Sequence, residues 1–393
     1  MDILSIYLRF WKVFSKKRKR QIIFMFFIIN INALAEFFSV ISVLPLLTAM
    51  IEPEVLYKVN KINFLINYFN IKDEKELLLI ITFLFVLITF ISMLIKLTNS
   101  FFVAKISSLI ASDLSVLTYE KIIYQNYEKI VSSNSSKYIA ITTKFVSNTV
   151  NGINQFFLIC SSTIVILLII AGLFTINFSL TLAIASSLLL LYCFVFLFFK
   201  NRISSYGKVS SDLYQISIKY LQESIGAIRD IIINNSQNYF TNYYTYITKR
   251  LFVIVARVDF LTAAPRLIIE PLSITLIAIA GFIFSNENNN SILPAIGTIA
   301  VGSQKLLPAI NILYVSIVNI RININPMSSV VSLVEDKNIN IKRFNNLRPY
   351  NFNNEISLQN IYFKYKKSNK NILKDISFSI NKGEKIGIVG ETG

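Results

Sequence analysis

The chain has 393 residues, of which 54% are hydrophobic and 16% are charged, and its formal net charge is +17. Soluble proteins carry about 25% charged residues, so this composition argues against a soluble globular protein. A basic chain can bind nucleic acid, but long apolar runs favour a membrane protein that keeps lysine and arginine on its cytoplasmic side. Histidine is absent, which excludes histidine-based catalysis and the commonest zinc sites.

Residues 1–21 form the first predicted element, an amphipathic helix lying on the inner membrane surface. Apolar residues from Ile3 to Trp11 recur on or near one side, and a run of five basic residues, 16–20, follows them. A secretory signal is the alternative, but the apolar run after the basic residues is too long and no small-residue cleavage site follows it. The basic run places the N-terminus in the cytoplasm.

Six apolar segments are long enough to cross about 30 Å of hydrocarbon. They are residues 22–50, 77–95, 153–176, 180–199, 260–285 and 292–317. Cys160 and Cys193 lie within these segments, so small buried residues are favoured over a disulfide or a metal site. The sequence therefore predicts a mainly α, polytopic membrane protein with six transmembrane helices and both ends in the cytoplasm.

Two long excursions separate the spans. No glycine or proline occurs from Glu54 to Asn151, so the helices of the second and third spans can continue well into the cytoplasm. A polar turn near residues 126–136 joins them. A second excursion, residues 203–259, has its own polar turn near residues 234–238.

The pattern changes after the sixth span. Residues 323–353 read as a polar, asparagine-rich linker that contains Pro326 and Pro349. From Glu355 the apolar residues alternate, which predicts half-buried strands. Residues 385–389 are predicted to form a buried strand.

A glycine-rich loop follows that strand: Gly390, Glu391, Thr392 and Gly393 fill the first four places of the pattern G-x-x-x-x-G-K-[ST]. Such a loop binds phosphates through closely approaching backbone N–H groups.

The chain resembles an ABC exporter half-transporter over its full length. The most specific pieces are residues 356–365 (ISLQNIYFKY), 372–380 (ILKDISFSI) and 382–393 (KGEKIGIVGETG). The resemblance implies a transmembrane domain at 1–322, a linker at 323–353 and the N-terminal fragment of a P-loop ATPase domain at 354–393. It also implies that Tyr365 stacks on adenine and that two half-transporters pair, as a homodimer or with a partner chain.

The ATPase motifs that follow the start of the P-loop in that family are not among these residues. We therefore expect no catalytic residue and no ATP hydrolysis in this polypeptide alone, and ATP with Mg²⁺ only in a full-length form. The two polar turns would be coupling helices that dock on the ATPase domain, or else ordinary helix–helix loops.

Within exporters, the chain is most similar to the bacterial lipid-linked oligosaccharide flippases and their relatives. The matching pieces are Ala35-Glu36 with Pro45, and residues 222–229, 265–270 and 305–309. This resemblance implies a multi-pass protein of the bacterial inner membrane that moves a lipid-linked saccharide or another amphipathic anionic substrate. An exporter of peptides or hydrophobic drugs is one alternative, and a truncated, non-hydrolysing membrane protein is another.

Four charged residues lie inside the predicted spans: Glu36, Arg266, Glu270 and Lys305. A charge at the centre of a span costs about 2.5–3.5 kcal/mol on insertion scales, so such residues usually face protein or a water-filled cavity. Arg266 and Lys305 are candidates for a cationic patch that binds an anionic head group such as a lipid pyrophosphate. In the alternative interpretation they only pair with Glu36 and Glu270, and the spacing of Arg266 and Glu270 allows them to meet on one helix face.

Overall fold

The computed structural model describes residues 3–51, 53–54, 73–131, 134–176, 178–285, 292–336, 352, 354–364 and 371–389. The chain divides into two compact units, Met1–Ile339 and Asn340–Gly393. In its described residues the first unit is helical and the second is a two-stranded sheet.

The first unit is built from helices of very different lengths. In chain order they are α1 (Ile3–Val13), α2 (Lys16–Ile41), α3 (Val43–Ile51), α4 (Glu74–Ile123), α5 (Tyr127–Val131), α6 (Ser135–Ala140), α7 (Val146–Phe174), α8 (Phe178–Gly226), α9 (Ile228–Ile233), α10 (Gln237–Ser285) and α11 (Ile292–Val334). A π-helical turn, Ile141–Phe145, connects α6 to α7.

Several of these helices can cross a membrane. In the described part of the chain, four segments are long and apolar enough: Lys16–Ile51, Glu74–Ile123, Ser135–Phe174 and Gly297–Val334. Helix α8 bends by 48° between Phe199 and Asn201 and gives a fifth candidate if its two parts form one span. The protein is thus mainly helical with four to five candidate membrane-spanning helices. The predicted span at 260–285 lies in α10, and six spans remain a prediction.

The outward face of α4 shows why a bilayer suits this unit. Leu79, Phe83, Val86 and Phe90 recur along the helix, and each is more than half exposed. A contiguous apolar surface of this length is unfavourable in water and normally marks a contact with lipid or another protein. These exposed faces support a membrane-embedded protein.

The core of the unit lies where α2, α4, α7 and α11 meet. Met25, Ile29, Ile110, Phe157 and Val330 are 2% exposed or less and belong to one packed cluster. Helices α8 and α11 also approach closely: a methyl group added at Gly207 would lie 2.7 Å from the carbonyl oxygen of Ile322 and 2.8 Å from its Cα. Small residues allow this close backbone approach, as is usual between membrane helices.

Helix α4 runs for 50 residues without a break, about 75 Å at 1.5 Å per residue. This is the helical continuation beyond the second span that the lack of glycine and proline predicted. The first predicted span behaves differently, because it is interrupted at Ser42, between α2 and α3. Pro45 lacks an N–H group and its ring clashes with the carbonyl four residues before it, which ends a helix at about Ile41.

Two expectations from the sequence differ from the structure of the helical unit. Helix α11 continues through Val334, past the predicted start of the linker at 323. Met327, Val330, Val331 and Val334 recur on one helical face and are buried in the core, so packing keeps this segment helical despite Pro326. Cys160 is half-buried as expected of a packed residue, but Cys193 is exposed.

The second unit contains β1 (Glu355–Phe363) and β2 (Leu373–Asn381), which pair antiparallel with Ile356 opposite Ile380 and Leu358 opposite Phe378. Asn360 and Asp375 take positive φ values of 49° and 52° where the register shifts. The prediction of half-buried strands is wrong for most positions, since residues such as Ile356 (52%) are exposed. Two strands offer too few neighbours to cover an apolar face.

The predicted buried strand at 385–389 is also wrong. Residues 384–389 are not in a strand, and Ile388 and Val389 are 92% and 98% exposed. A strand needs a neighbouring strand for its backbone hydrogen bonds. Because β1 and β2 pair with each other, residues 385–389 have no strand partner among the described residues.

Candidate functional site

A cavity of about 410 Å³ lies between α2, α4, α7 and α11. We call it the polar cavity, because charged and amide side chains from all four helices line it. They are Asn32 and Glu36 of α2, Lys96 and Asn99 of α4, Asn154 of α7, and Lys305 of α11. Apolar residues such as Val103, Leu158 and Ile312 complete the wall. Its size falls within the range of about 300–1,000 Å³ that is usual for ligand sites.

An ion pair crosses the polar cavity. The Lys96 Nζ lies 2.8 Å from the Glu36 Oε1. Glu36 is 9% exposed, whereas the side chain of Lys96 is 65% exposed. A buried carboxylate is costly without a hydrogen-bonded cation, so the contact with Lys96 compensates for the burial of Glu36 between apolar helices.

Three amide oxygens of the polar cavity have no hydrogen-bond partner within the described part of the chain. They are the Oδ1 atoms of Asn32, Asn99 and Asn154, and each atom is buried. The Asn32 side chain as a whole is only 4% exposed. Buried polar atoms in native proteins are nearly always satisfied by protein, water or ligand, so these three acceptors can take hydrogen bonds from water or from a ligand in the cavity.

Arg266 and Glu270 form a second, smaller site. The Arg266 Nε donates to the Glu270 Oε2 at 3.1 Å, one helical turn apart on α10. A cavity of about 40 Å³ lies beside them and is also lined by Tyr192, Gln304 and Pro308. Pro308 borders the polar cavity as well, which makes the two sites neighbours.

The structure therefore divides the four predicted pathway residues. Glu36 and Lys305 line the polar cavity, and Arg266 and Glu270 line its small neighbour. Arg266 forms a salt bridge with Glu270, as the spacing predicted. Glu36 forms its salt bridge with Lys96 and not with Lys305. The predicted nucleotide-binding residues Tyr365, Gly390, Glu391, Thr392 and Gly393 lie outside the described residues.

Lys96, Asn32, Asn99 and Asn154 were not identified from the sequence. A signal exists for two of them: Asn32 lies one helical turn before Glu36 in an apolar run, and Lys96 lies one turn before Ser100. Both members of each pair line the polar cavity. Within the described residues, no cluster of three or more Cys, Asp or Glu side chains could hold a metal ion.

The first predicted polar turn contains the short helix α5, and the short helix α9 ends just before the second. At the first turn, Lys129 pairs with Asp336 just beyond α11, and the Lys121 Nζ donates to the Asp336 backbone oxygen at 3.0 Å. At the second, α9 ends with Asn235 in the left-handed conformation (φ 50°) and the Ser236 N–H donates to the Ile231 oxygen. These bonds close the helix end, as the Schellman motif does.

No protein-family model matches the chain, and a comparison with curated proteins finds no match. The resemblance to ABC exporters therefore depends on the sequence motifs alone, chiefly those at residues 356–365, 372–380 and 382–393.

Proposed function

We propose that the chain belongs to an ATP-driven exporter or flippase subunit of the ABC type, and that its polar cavity binds a lipid-linked saccharide or another amphipathic anionic substrate. The observation that carries the proposal is the set of three unpartnered, buried amide oxygens beside Lys305 in one cavity between apolar helices. In this proposal the protein has six spans in the bacterial inner membrane and pairs with a second half-transporter.

The chemistry of the cavity matches the proposed substrate. Sugar hydroxyls are donors that can satisfy the amide oxygens of Asn32, Asn99 and Asn154. Lys305 supplies a cation for a phosphate oxygen, and the planar fork of Arg266 can bind a second one when it leaves Glu270. Apolar side chains of the wall suit the start of a lipid chain. A hydrophobic drug has few donors and would leave the amide oxygens unpaired.

Energy would come from a nucleotide-binding domain that begins at about residue 354. In this proposal Tyr365 stacks on adenine and the loop opened by Gly390 binds phosphates. ATP and Mg²⁺ are the cofactors of the full-length protein.

Transport by the full-length protein in proteoliposomes tests the proposal. With ATP and a fluorescent polyprenyl diphosphate saccharide as the probe, we expect the double substitution Arg266→Gln, Lys305→Gln to slow transport at least about tenfold, because charge-assisted hydrogen bonds contribute about 1.5–3 kcal/mol each. Lys208→Gln, at an exposed position of α8 that lines neither cavity, is the control. Unchanged transport in the double variant would refute the anionic site.

A separate prediction concerns Asn32 alone. Leucine has nearly the same shape but removes a buried acceptor that lacks a partner, so Asn32→Leu should raise the thermal midpoint of the empty protein by a few degrees. The same change should weaken saccharide binding roughly two- to tenfold, since one neutral hydrogen bond is lost. If both quantities fall together, Asn32 stabilises the fold and does not bind the substrate. Export of a hydrophobic dye without any saccharide transport by the unmodified protein would favour the drug exporter.

A further inference from the structure

A second cavity, of about 240 Å³, lies beneath α1 and is lined almost wholly by apolar atoms. We call it the α1 crevice. Leu4, Leu8 and Trp11 of α1 form one side, and Phe26 of α2 and Phe156 of α7 form the other. It shares no lining residue with the polar cavity.

Helix α1 is held firmly on the bundle, so the crevice does not depend on a loose helix. Ile6 and Phe10 are each 1% exposed in the main core. The Tyr7 hydroxyl donates to the Gly152 oxygen at 2.8 Å, and Arg9 pairs with Glu335 at 2.6 Å. Burial raises the pKa of Tyr7, which keeps its hydroxyl protonated as the donor.

The α1 residues that form one side of the crevice are also exposed at the protein surface. Leu4 is 67% exposed, Leu8 is 55% exposed, and Trp11 follows one turn later. A helix with one face in the protein core and apolar side chains on the other suits the boundary between lipid head groups and acyl chains. The mouth of the α1 crevice is therefore placed where acyl chains are available.

Basic side chains lie at the rim of the crevice. The Lys19 Nζ lies 5.7 Å from the centre of the Trp11 ring, and that ring forms part of the crevice wall. Lys12, Lys16 and Arg20 are exposed in the same segment, which has no acidic residue from Ile3 to Ala35. Arg18 is engaged elsewhere, by two bonds to Asp113.

We propose that the α1 crevice binds one acyl chain of an anionic phospholipid whose head group lies against Lys19 and its basic neighbours. An acyl chain gains little by moving from the bilayer into an apolar crevice, so the preference for one lipid must come from the head group. Each basic residue near an anionic lipid surface strengthens binding roughly fivefold. The site is separate from the substrate cavity and does not rest on the proposed transport function.

Lipid binding to the purified chain in a neutral detergent tests this inference. The probes are phosphatidylglycerol and phosphatidylcholine with identical acyl chains, counted on the protein by native mass spectrometry, and glycerol phosphate as the free anion. We expect phosphatidylglycerol to bind at least about tenfold tighter than phosphatidylcholine, and glycerol phosphate not to compete because it has no chain for the crevice.

Two kinds of variant locate the site. We expect the preference for phosphatidylglycerol to be lost in the triple variant Lys16→Gln, Lys19→Gln, Arg20→Gln. The control variant Lys105→Gln, which changes a lysine of α4, should keep that preference. Leu8→Trp should fill the mouth of the crevice and lower the binding of both lipids. Leu8, Lys16, Arg20 and Lys105 are exposed and Lys19 is partly exposed, and an unchanged thermal midpoint shows that the fold is intact. Equal binding of the two lipids by the unmodified protein, or a triple variant that keeps the preference, would overturn the inference.

Discussion

Substitution of Lys96 by methionine is expected to destabilise the helical unit by about 2 kcal/mol. The change leaves the Glu36 carboxylate, which is 9% exposed, without its partner at 2.8 Å. Breaking a fully buried ion pair costs about 3–5 kcal/mol. We expect less because the Lys96 side chain is 65% exposed and the cavity can admit water. The thermal midpoint in detergent should fall by about 5 °C.

A double-mutant cycle separates the ion pair from other effects of these side chains. Glu36→Gln combined with Lys96→Met removes both charges, and at least half of the lost stability should return. Lys105→Met serves as the matched control on the same helix, since Lys105 is exposed and its amine lies 5.7 Å from the Phe101 ring. Equal losses for the two single lysine variants would show that the Glu36–Lys96 pair has no special role in stability.

Gly207→Ala should destabilise the protein by about 2–3 kcal/mol through overpacking. The new methyl group would meet the Ile322 carbonyl oxygen at 2.7 Å and its Cα at 2.8 Å. Because these are backbone atoms, no side-chain rotation can relieve the contact, and α8 must move away from α11. The measurement is again the thermal midpoint in detergent, which should fall by about 5 °C.

Gly226 provides the control for the intrinsic effect of alanine in a helix. It ends the same helix, α8, and a methyl group there would meet nothing within 4 Å. Alanine is favoured over glycine in helices by up to about 1 kcal/mol, so Gly226→Ala should leave the midpoint unchanged or raise it slightly. Equal midpoints for the two variants would contradict the close approach of α8 and α11.

The helical architecture could be predicted because its signals are local. Apolar runs longer than the bilayer thickness mark helices, and the lack of glycine and proline from Glu54 to Asn151 predicted the unbroken α4. The end of α11 could not be predicted in the same way. Pro326 and nearby asparagines suggest a linker, but burial of Met327 and Val330 against other helices outweighs that preference.

The candidate site was predictable only in part, since pairing between helices depends on how they pack. Glu36 is conspicuous as an acid inside an apolar run, and Arg266 and Glu270 share a helix face, so their pairing follows from spacing alone. Lys96 follows directly after the predicted end of the second span at residue 95 and reads there as an ordinary boundary residue. Its contact with Glu36 depends on the register between α2 and α4, which no local pattern encodes.

Because α4 is uninterrupted, it links two distant contacts through one continuous helix. Lys96 meets Glu36 in the polar cavity, and Lys121 of the same helix holds the Asp336 oxygen just beyond the end of α11. The two lysines are roughly 37 Å apart along a straight helix. A tilt of about 5° pivoting at the cavity displaces the far end by roughly 3 Å, more than the hydrogen bond to Asp336 can tolerate. We therefore expect a ligand that separates Lys96 from Glu36 to weaken the bond between Lys121 and Asp336 as well.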